Sequence, residues 1–248
     1  MGTSSSYKSS IKNRPEWGKL SGSMKRNCSG ENVPDKGMKN IMSNYSAAVR
    51  SANQSRGGGR NIGRSAIKAA QGLAGFFNSV SGAGEGRGLE DVLNEYGLQD
   101  LSNKTVTEVV NFLLEHINGP SSTKDDTAAK EASKKILEDF VDQAKTVDEL
   151  ENNLKEKLDE DTLEEILLNY YVHYIHEDLS RMFYEELVKE KGKKNCNGLF
   201  KDIKNYIRSR LTRLNNDGKL SRINFNSSKW KSLVKDMYDK VIKVFGDE

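Results

Sequence analysis

The sequence predicts a mainly α-helical protein, an irregular bundle of about seven helices with a long, largely disordered basic N-terminal tail. Apolar residues recur every three or four positions along most of the chain, which is typical of helices with one buried face. Only three prolines occur in 248 residues, and proline interrupts helices. Residues 1–88 carry 14 Lys and Arg against 4 Asp and Glu, a net charge of +10, whereas residues 89–248 carry 25 against 32, a net charge of −7. This asymmetry indicates a basic arm attached to a separate folded body.

Residues 1–36 are predicted to form a flexible tail. Serine, glycine, lysine and asparagine dominate this stretch, and its apolar residues, among them Trp17 and Leu20, follow no helical period. Such a segment buries too little apolar surface to offset its ordering entropy. We therefore expect it to become ordered only on a partner.

Residues 37–88 are predicted to form Gly/Ala-rich, basic amphipathic helices that end in a glycine-rich linker. Arg60, Arg64 and Lys68 follow one another at four-residue spacing, opposite an apolar stripe that runs from Ile62 to Phe77. This basic ridge could contact phosphates, an anionic membrane or an acidic protein surface. Because no aromatic platform accompanies the ridge, protein contact or simple solvation is favoured.

Residues 89–248 are predicted to form the α-helical body. Its first helix begins at Leu89 and can be capped by Gly97, and a second, started by Ser102 or Thr105, ends at Gly119. Five further helical stripes follow, and the longest opens at Asp161 or Thr162 and reaches Leu187. This long helix is apolar on more than one face and should lie at the centre of the bundle.

No catalytic signature is present, so an enzyme is the least supported class. The chain lacks the nucleophile elbow, the zinc-protease motif and the phosphate-binding loop. His173 and His176 lie three residues apart and could share a metal, but no third ligand is evident. The sequence thus predicts neither a metal site nor a cofactor of its own.

The compartment expected from composition is the cytoplasm. No apolar run approaches the ~20 residues that span a bilayer, and the first 30 residues lack a signal-peptide core. The two cysteines, Cys28 and Cys196, form neither a disulfide framework nor a close pair in sequence. A reduced compartment fits this usage best.

Three interpretations of the N-terminus remain open. Met1-Gly2-Thr3-Ser4-Ser5-Ser6 matches the N-myristoylation pattern, although one acyl chain alone holds a membrane weakly. An ordinary disordered start is the second interpretation. The third is that Gly2, freed by removal of Met1, is an acceptor, because an unhindered α-amine with a pKa near 8 is partly unprotonated at pH 7.

Several short motifs follow one another over nearly the whole chain: Met1-Gly2-Thr3-Ser4-Ser5-Ser6-Tyr7, Pro15-Glu16-Trp17, Arg56–Arg64, Glu95–Leu101, Gly119-Pro120 with Ala128-Ala129, and Tyr170–Glu186. In this order they resemble the QatB family, a component of the bacterial Qat anti-phage defence system. The chain departs from the family between Ser6 and Pro15, where Lys8–Asn13 replaces a Gly/Pro-rich stretch.

The resemblance implies a non-enzymatic component that works with an ATPase, a QueC-like enzyme (QatC) and a TatD-like nuclease. QueC-like enzymes use ATP to activate a 7-deazaguanine carboxylate, and the implied acceptor is Gly2. Thr3, Ser4, Ser5, Ser6 and Tyr7 would line the entry channel of QatC, and Pro15 and Trp17 would anchor on its surface. The basic ridge of Arg60, Arg64 and Lys68 then becomes a docking surface that helps to deliver Gly2.

Two other function classes are alternatives. A nucleic-acid-binding adaptor would use the basic N-terminal region, and its affinity would fall steeply with salt. An N-myristoylated peripheral protein would carry an acyl chain on Gly2 and associate with membranes.

Overall fold

The computed structural model describes residues 15–30, 32–54, 63–81, 88–141, 144–158, 160–218 and 229–246. These residues contain one short 3-10 helix, Leu101–Asn103, and no strand. They form ten α-helices: α1 (Pro15–Asn27), α2 (Asp35–Gln54), α3 (Arg64–Ser81), α4 (Leu89–Glu95), α5 (Val106–Asn118), α6 (Lys124–Val141), α7 (Val147–Lys157), α8 (Glu160–Lys191), α9 (Lys193–Asn216) and α10 (Trp230–Val244). The mainly α fold is confirmed, and seven of these helices begin at or after Leu89.

The chain folds into two compact units, each built from separate stretches of sequence. Unit 1 comprises Met1–Gly63, Leu179–Leu220 and Met237–Glu248, and unit 2 comprises Arg64–Asp178 and Ser221–Asp236. Two of the four boundaries fall inside α8 and α10, so both helices contribute to both units. The units therefore cut across the division at residues 36 and 88 that charge and glycine content suggest.

The expectation of an extended tail is wrong for residues 15–27, which form α1. Trp17, Leu20 and Met24 are spaced as on one face of a helix and are 5%, 0% and 0% exposed. Helix α1 packs against α2 along its length. The physical reason is this apolar face, whose burial stabilises a helix of otherwise polar composition.

Residues at the two ends of α1 favour the start and the end of this helix. Pro15 occupies the first helical position, where a missing backbone N–H is tolerated. Glu16 lies in the first turn, and Lys25 and Arg26 lie in the last turn. These charges oppose the partial charges of the helix ends and add modestly to its stability.

Unit 2 is organised around α3, which packs against α4, α5, α6 and α7. Small residues permit these close approaches, since a Cβ atom added at Gly72 would lie 2.9 Å from a methyl carbon of Ile117 on α5. Four alanines of α3 are buried together with Phe76 and Phe77. The Gly/Ala content that weakens this helix in isolation is therefore what lets its neighbours pack closely.

Helix boundaries follow capping chemistry. Thr105, rather than Ser102, starts α5 through a capping box with Glu108. Gly97, with a φ of +99°, follows α4 and allows the Leu98 N–H to donate to the Leu93 carbonyl at 2.8 Å. The Thr146 hydroxyl likewise accepts the Glu149 N–H at the start of α7.

Helix α8 is buried on all sides near its middle. Every residue from 170 to 175 is buried, which confirms the predicted many-sided apolar character. Within unit 2, the Tyr174 hydroxyl donates to Asp125 at 2.5 Å and the Tyr171 hydroxyl donates to the Val234 carbonyl at 3.2 Å. The hydroxyl groups of Tyr171 and Tyr174 thus have hydrogen-bond partners inside unit 2.

Candidate functional site

The proposed acceptor, Gly2, and the neighbouring residues Thr3, Ser4, Ser5, Ser6 and Tyr7 lie outside the described residues, as does Arg60. The described chain begins at Pro15, thirteen positions after Gly2. Thirteen residues reach at most about 45 Å when fully extended. The position and anchoring of α1 therefore limit where the α-amine of Gly2 can be presented.

Pro15 is exposed at the first position of α1. Its ring fixes φ near the helical value and needs no hydrogen-bond donor there. The chain therefore leaves the helix at a conformationally restricted point on the surface of unit 1. The location suits the partner contact expected of Pro15.

Trp17 is only 5% exposed, and its ring lies 6.3 Å from the ring of Phe183 on α8, at 32°. The expectation that Trp17 anchors on the surface of a partner is wrong for this structure. The reason is the large apolar area of an indole, which is better buried in unit 1 than left in water. Trp17 instead holds the first turn of α1 in place by packing against Phe183.

The last turn of α1 is held by an ion-pair fork. The Lys25 ammonium lies 3.0 Å from a Glu186 oxygen and 2.7 Å from a Glu190 oxygen, both on α8. The hydrogen bonds that Lys25 donates to Glu190 and then to Glu186 raise the pKa of Lys25. The three side chains are partly exposed, so the fork specifies the position of the helix more than it adds to stability.

Two more contacts fix the segment that follows α1. The thiol sulfurs of Cys28 and Cys196 lie 3.5 Å apart in a buried position. The Val33 N–H donates to a carboxylate oxygen of Asp202 at 3.2 Å. Helix α1 is thus held at both ends, and it forms a fixed base for the preceding chain.

The residues of α8 and α9 that contact α1 and the segment after it cannot be predicted from sequence spacing. Phe183, Glu186, Glu190, Cys196 and Asp202 are more than 150 residues distant in the chain, and sequence spacing carries no information about such pairs. Met24 is the one local signal, because it extends the spacing of Trp17 and Leu20 into a helical stripe.

Arg64 and Lys68 lie one helical turn apart on the exposed side of α3. The Lys68 ammonium donates to the Asn118 carbonyl at 3.4 Å, where it satisfies an acceptor at the C-terminus of α5. Both residues belong to unit 2, whereas Pro15 and Trp17 belong to unit 1. The sequence-predicted site residues are therefore distributed over two units.

Charge separates by unit more strongly than by position in the chain. Unit 1 holds 24 Lys and Arg against 11 Asp and Glu, a net charge of +13. Unit 2 holds 15 against 25, a net charge of −10. Arg64 and Lys68 are thus cations on an acidic unit, which weakens their case as a polyanion-binding ridge.

The two histidines of α8 differ in environment. His173 is 7% exposed, and His176 lies beside Glu177 with 3.6 Å between the imidazole Nδ1 and a carboxylate oxygen. The adjacent His176 imidazole, together with the Lys135 ammonium that donates to the same carboxylate, lowers the pKa of Glu177 to about 2 despite its partial burial. Within the described ranges, no group of three or more His, Cys, Asp and Glu residues is placed to hold a metal ion.

Fold and site define a class: an all-α protein with a basic and an acidic unit, in which a fixed helix anchors the N-terminal chain. The chain belongs to the QatB family, because the family model described as Qat anti-phage system associated protein QatB matches residues 55–245. It is accordingly a component of an anti-phage defence system. The match includes α3 to α10 and begins after α2. No curated protein and no solved structure gives a significant match.

Among the described helices, none is both long and apolar enough to cross a bilayer.

Proposed function

We propose that this protein acts without catalysis of its own and presents the α-amine of Gly2 to a QueC-like partner, QatC, in the cytoplasm. The partner uses ATP to activate the carboxyl group of a 7-deazaguanine. The Gly2 nitrogen attacks the activated carboxyl carbon, an amide bond forms, and the activating group leaves with a proton from the amine. The product is a deazaguanine–protein conjugate.

The single observation that carries the proposal is the anchoring of α1. Trp17 at one end and Lys25 and Cys28 at the other fix this helix to unit 1. The chain that leads to Gly2 therefore starts from a defined point on the surface. A tethered acceptor reaches a docked enzyme as an intramolecular event, at an effective concentration set by the length of the tether.

Glycine suits the acceptor role chemically. It has no side chain to crowd the amine, and a free α-amine keeps a useful unprotonated fraction at neutral pH. Thr3, Ser4, Ser5, Ser6 and Tyr7 would occupy the entry channel of the partner, and exposed Pro15 would meet its surface. Arg64 and Lys68, with Arg60, would contact acidic side chains of QatC, the ATPase or the TatD-like nuclease.

Mass spectrometry of the N-terminal peptide tests the proposal after co-expression with the QatC-like enzyme of the same system. We expect a mass increase equal to the deazaguanine acid minus water, located on Gly2. Gly2→Ala should reduce the modified fraction, because a methyl group crowds the nucleophile. Ser9→Ala is the matched control, since it makes a similarly small change in the same segment, outside Thr3–Tyr7, and keeps the acceptor.

An unmodified Gly2, in cells where the partner is expressed and consumes ATP and the acid, would contradict the proposal. The same spectrum separates the alternative of N-myristoylation, since a fatty acyl group adds a different mass and moves the protein to the membrane fraction.

A further inference from the structure

The outer face of α9 carries a row of cations that the overall charge of residues 89–248 conceals. Helix α9 contains seven Lys and Arg and a single acidic residue, Asp202. Lys194, Lys201 and Arg208 are all exposed and follow one another at seven-residue spacing. We call these three residues the α9 ridge. Two helical turns separate neighbours, so their Cα atoms lie about 10.5 Å apart along one side of the helix.

The buried side of α9 fixes the direction of this ridge. Cys196, Ile203, Ile207 and Leu211 are 0–1% exposed and face the core of unit 1. On a helix of 3.6 residues per turn, the α9 ridge lies roughly opposite them. Packing within unit 1 thus turns the three cations toward solvent.

No described carboxylate neutralises the α9 ridge. Its three side chains make no ion pair with any described acidic residue. Asp202 lies to one side and accepts the Val33 N–H at 3.2 Å. The cations are therefore available to an external anion, and unit 1 as a whole, at +13, adds a favourable long-range field.

The residues between the cations are short and polar. Asn205, Ser209 and Thr212 are exposed on the same face, and α9 itself contributes no aromatic residue there. At the N-terminal end of the face, the Tyr184 hydroxyl of α8 donates to the Asn197 amide oxygen at 2.6 Å. Single-stranded nucleic acids are usually held by aromatic stacking, whereas duplexes are held by phosphate contacts from Lys, Arg, Asn, Ser and Thr. This composition favours a duplex over a single strand.

Helix geometry favours DNA over RNA. The major groove of B-form DNA is about 12 Å wide and admits an α-helix. The major groove of an A-form RNA duplex is deep and too narrow for one. A helix with cations along one straight face, about 21 Å from Lys194 to Arg208, can lie against the backbones that border the DNA groove.

We propose that the α9 ridge binds the phosphate backbone of duplex DNA, independently of base sequence. The binding surface is separate from Gly2 and does not depend on its modification. It lies in unit 1, on α9, and not at Arg60, Arg64 and Lys68.

Fluorescence anisotropy with the full chain tests this. The probe is a labelled 24-bp duplex DNA, in two unrelated sequences, titrated from 50 to 200 mM NaCl. The variant K194Q/K201Q/R208Q should lose at least about tenfold in affinity, and the slope of log K against log salt should become shallower by about 2.7, or 0.9 for each phosphate that the variant no longer neutralises. The matched control K19Q/K36Q/K189Q removes the same charge from exposed lysines elsewhere in unit 1 and should lose less than about threefold.

Circular dichroism confirms that both triple variants fold before binding is compared. Equal binding of both DNA sequences and weaker binding of a 24-bp RNA duplex support the proposal. The proposal is overturned by no binding of the wild-type chain at 50 mM NaCl, by equal losses in the two variants, or by RNA bound as tightly as DNA. Sedimentation that shows self-association through the α9 ridge, without DNA binding, would assign this face to the acidic unit of a second copy and also overturn it.

Discussion

The thiols of Cys28 and Cys196 meet inside unit 1 with their sulfur atoms 3.5 Å apart, although 168 positions separate them in sequence. Burial, followed by the hydrogen bond with Cys196, raises the pKa of Cys28 to about 12. The pair links the segment after α1 to the first turns of α9. Because both cysteines are buried, the pair is a packing contact in the folded protein.

Cys28 and Cys196 should react slowly with thiol reagents in the native protein, and the free energy of unfolding should fall at high pH. Because the pKa of Cys28 is raised in the folded state, the unfolded chain releases its proton first, and the free energy of unfolding decreases from about pH 9 toward pH 12. Thiol titration with a disulfide reagent at pH 8 checks the first expectation, with two thiols appearing on addition of guanidinium. Denaturant unfolding of wild type and Cys28→Ala at pH 8 and 10.5 checks the second, since the variant should lose less stability over that interval. Rapid labelling of the native protein would contradict the buried pair.

Trp17→Ala should destabilise unit 1 by about 3–5 kcal/mol, the usual cost of truncating a buried aromatic side chain. Trp17 is 5% exposed and packs on Phe183, so the variant leaves a cavity beneath α1. Denaturant unfolding measures the loss. Lys19→Ala, at an exposed position of the same helix, should change stability by less than about 0.5 kcal/mol, and similar effects of the two variants would show that α1 is not docked.

Gly63→Ala should cost more stability than Gly97→Ala. Both glycines have positive φ, +88° and +99°, so each substitution introduces backbone strain of about 1–2 kcal/mol. A Cβ atom at Gly63 would also lie 1.9 Å from the Tyr238 hydroxyl oxygen, whereas one at Gly97 meets nothing within 4 Å. Thermal unfolding of the two variants gives the difference, and equal shifts would argue against the close approach of Gly63 and Tyr238.

Asp126 should make unit 2 sensitive to acid. Burial alone would raise its pKa, but hydrogen bonds from Ser65, Thr123 and Ser122 outweigh that effect and lower the pKa to about 2. The stabilisation from the ionised carboxylate is complete above its unfolded pKa near 4 and is lost as pH falls toward 2. Unfolding measured at pH 7, 4 and 2.5 should show this loss in wild type. Asp126→Asn should be less stable at pH 7 and less sensitive to acid, while an unchanged acid response would assign the sensitivity to other carboxylates.

Deleting residues 8–13 should reduce conjugation at Gly2 without touching the acceptor or its neighbours up to Tyr7. The deletion shortens the largest possible distance between Gly2 and Pro15 from about 45 to about 25 Å. A six-residue Gly/Ser replacement of the same stretch is the control, because it keeps the length and should retain modification. The modified fraction of the N-terminal peptide is the measurement, and loss in both variants would indicate that residues 8–13 are recognised for their side chains.

Local signals were enough to predict most helices. The unbroken stripe from Val106 to Ile117 predicts α5, and Thr105, one of its two candidate starting residues, is the cap that the structure shows. Helix α1 is harder to predict, because its composition is polar and its apolar face consists mainly of Trp17, Leu20 and Met24. The net charge of a long segment can also hide a charged surface, since residues 89–248 have a net charge of −7 although they include the cationic helix α9.

Contacts between distant residues could not be predicted from one sequence. The fork of Lys25 with Glu186 and Glu190 and the thiol pair depend on how the helices pack. The assignment of Arg64 and Lys68 to an acidic unit likewise depends on where the chain crosses between units, which for α3 is between Gly63 and Arg64. The spacing of apolar residues indicates which face of a helix is buried, but not which helices pack against that face.

Because unit 1 is built from separate stretches of sequence, the residues matched by the family model do not include all of it. A fragment that spans the matched residues 55–245 keeps α3 to α10 but lacks α1 and α2. In that fragment Phe183 is no longer covered by Trp17, and Cys196 no longer packs on Cys28. The fragment 55–245 would thus expose an apolar surface. Experiments on this protein should therefore keep the N-terminal 54 residues, even when they do not concern Gly2.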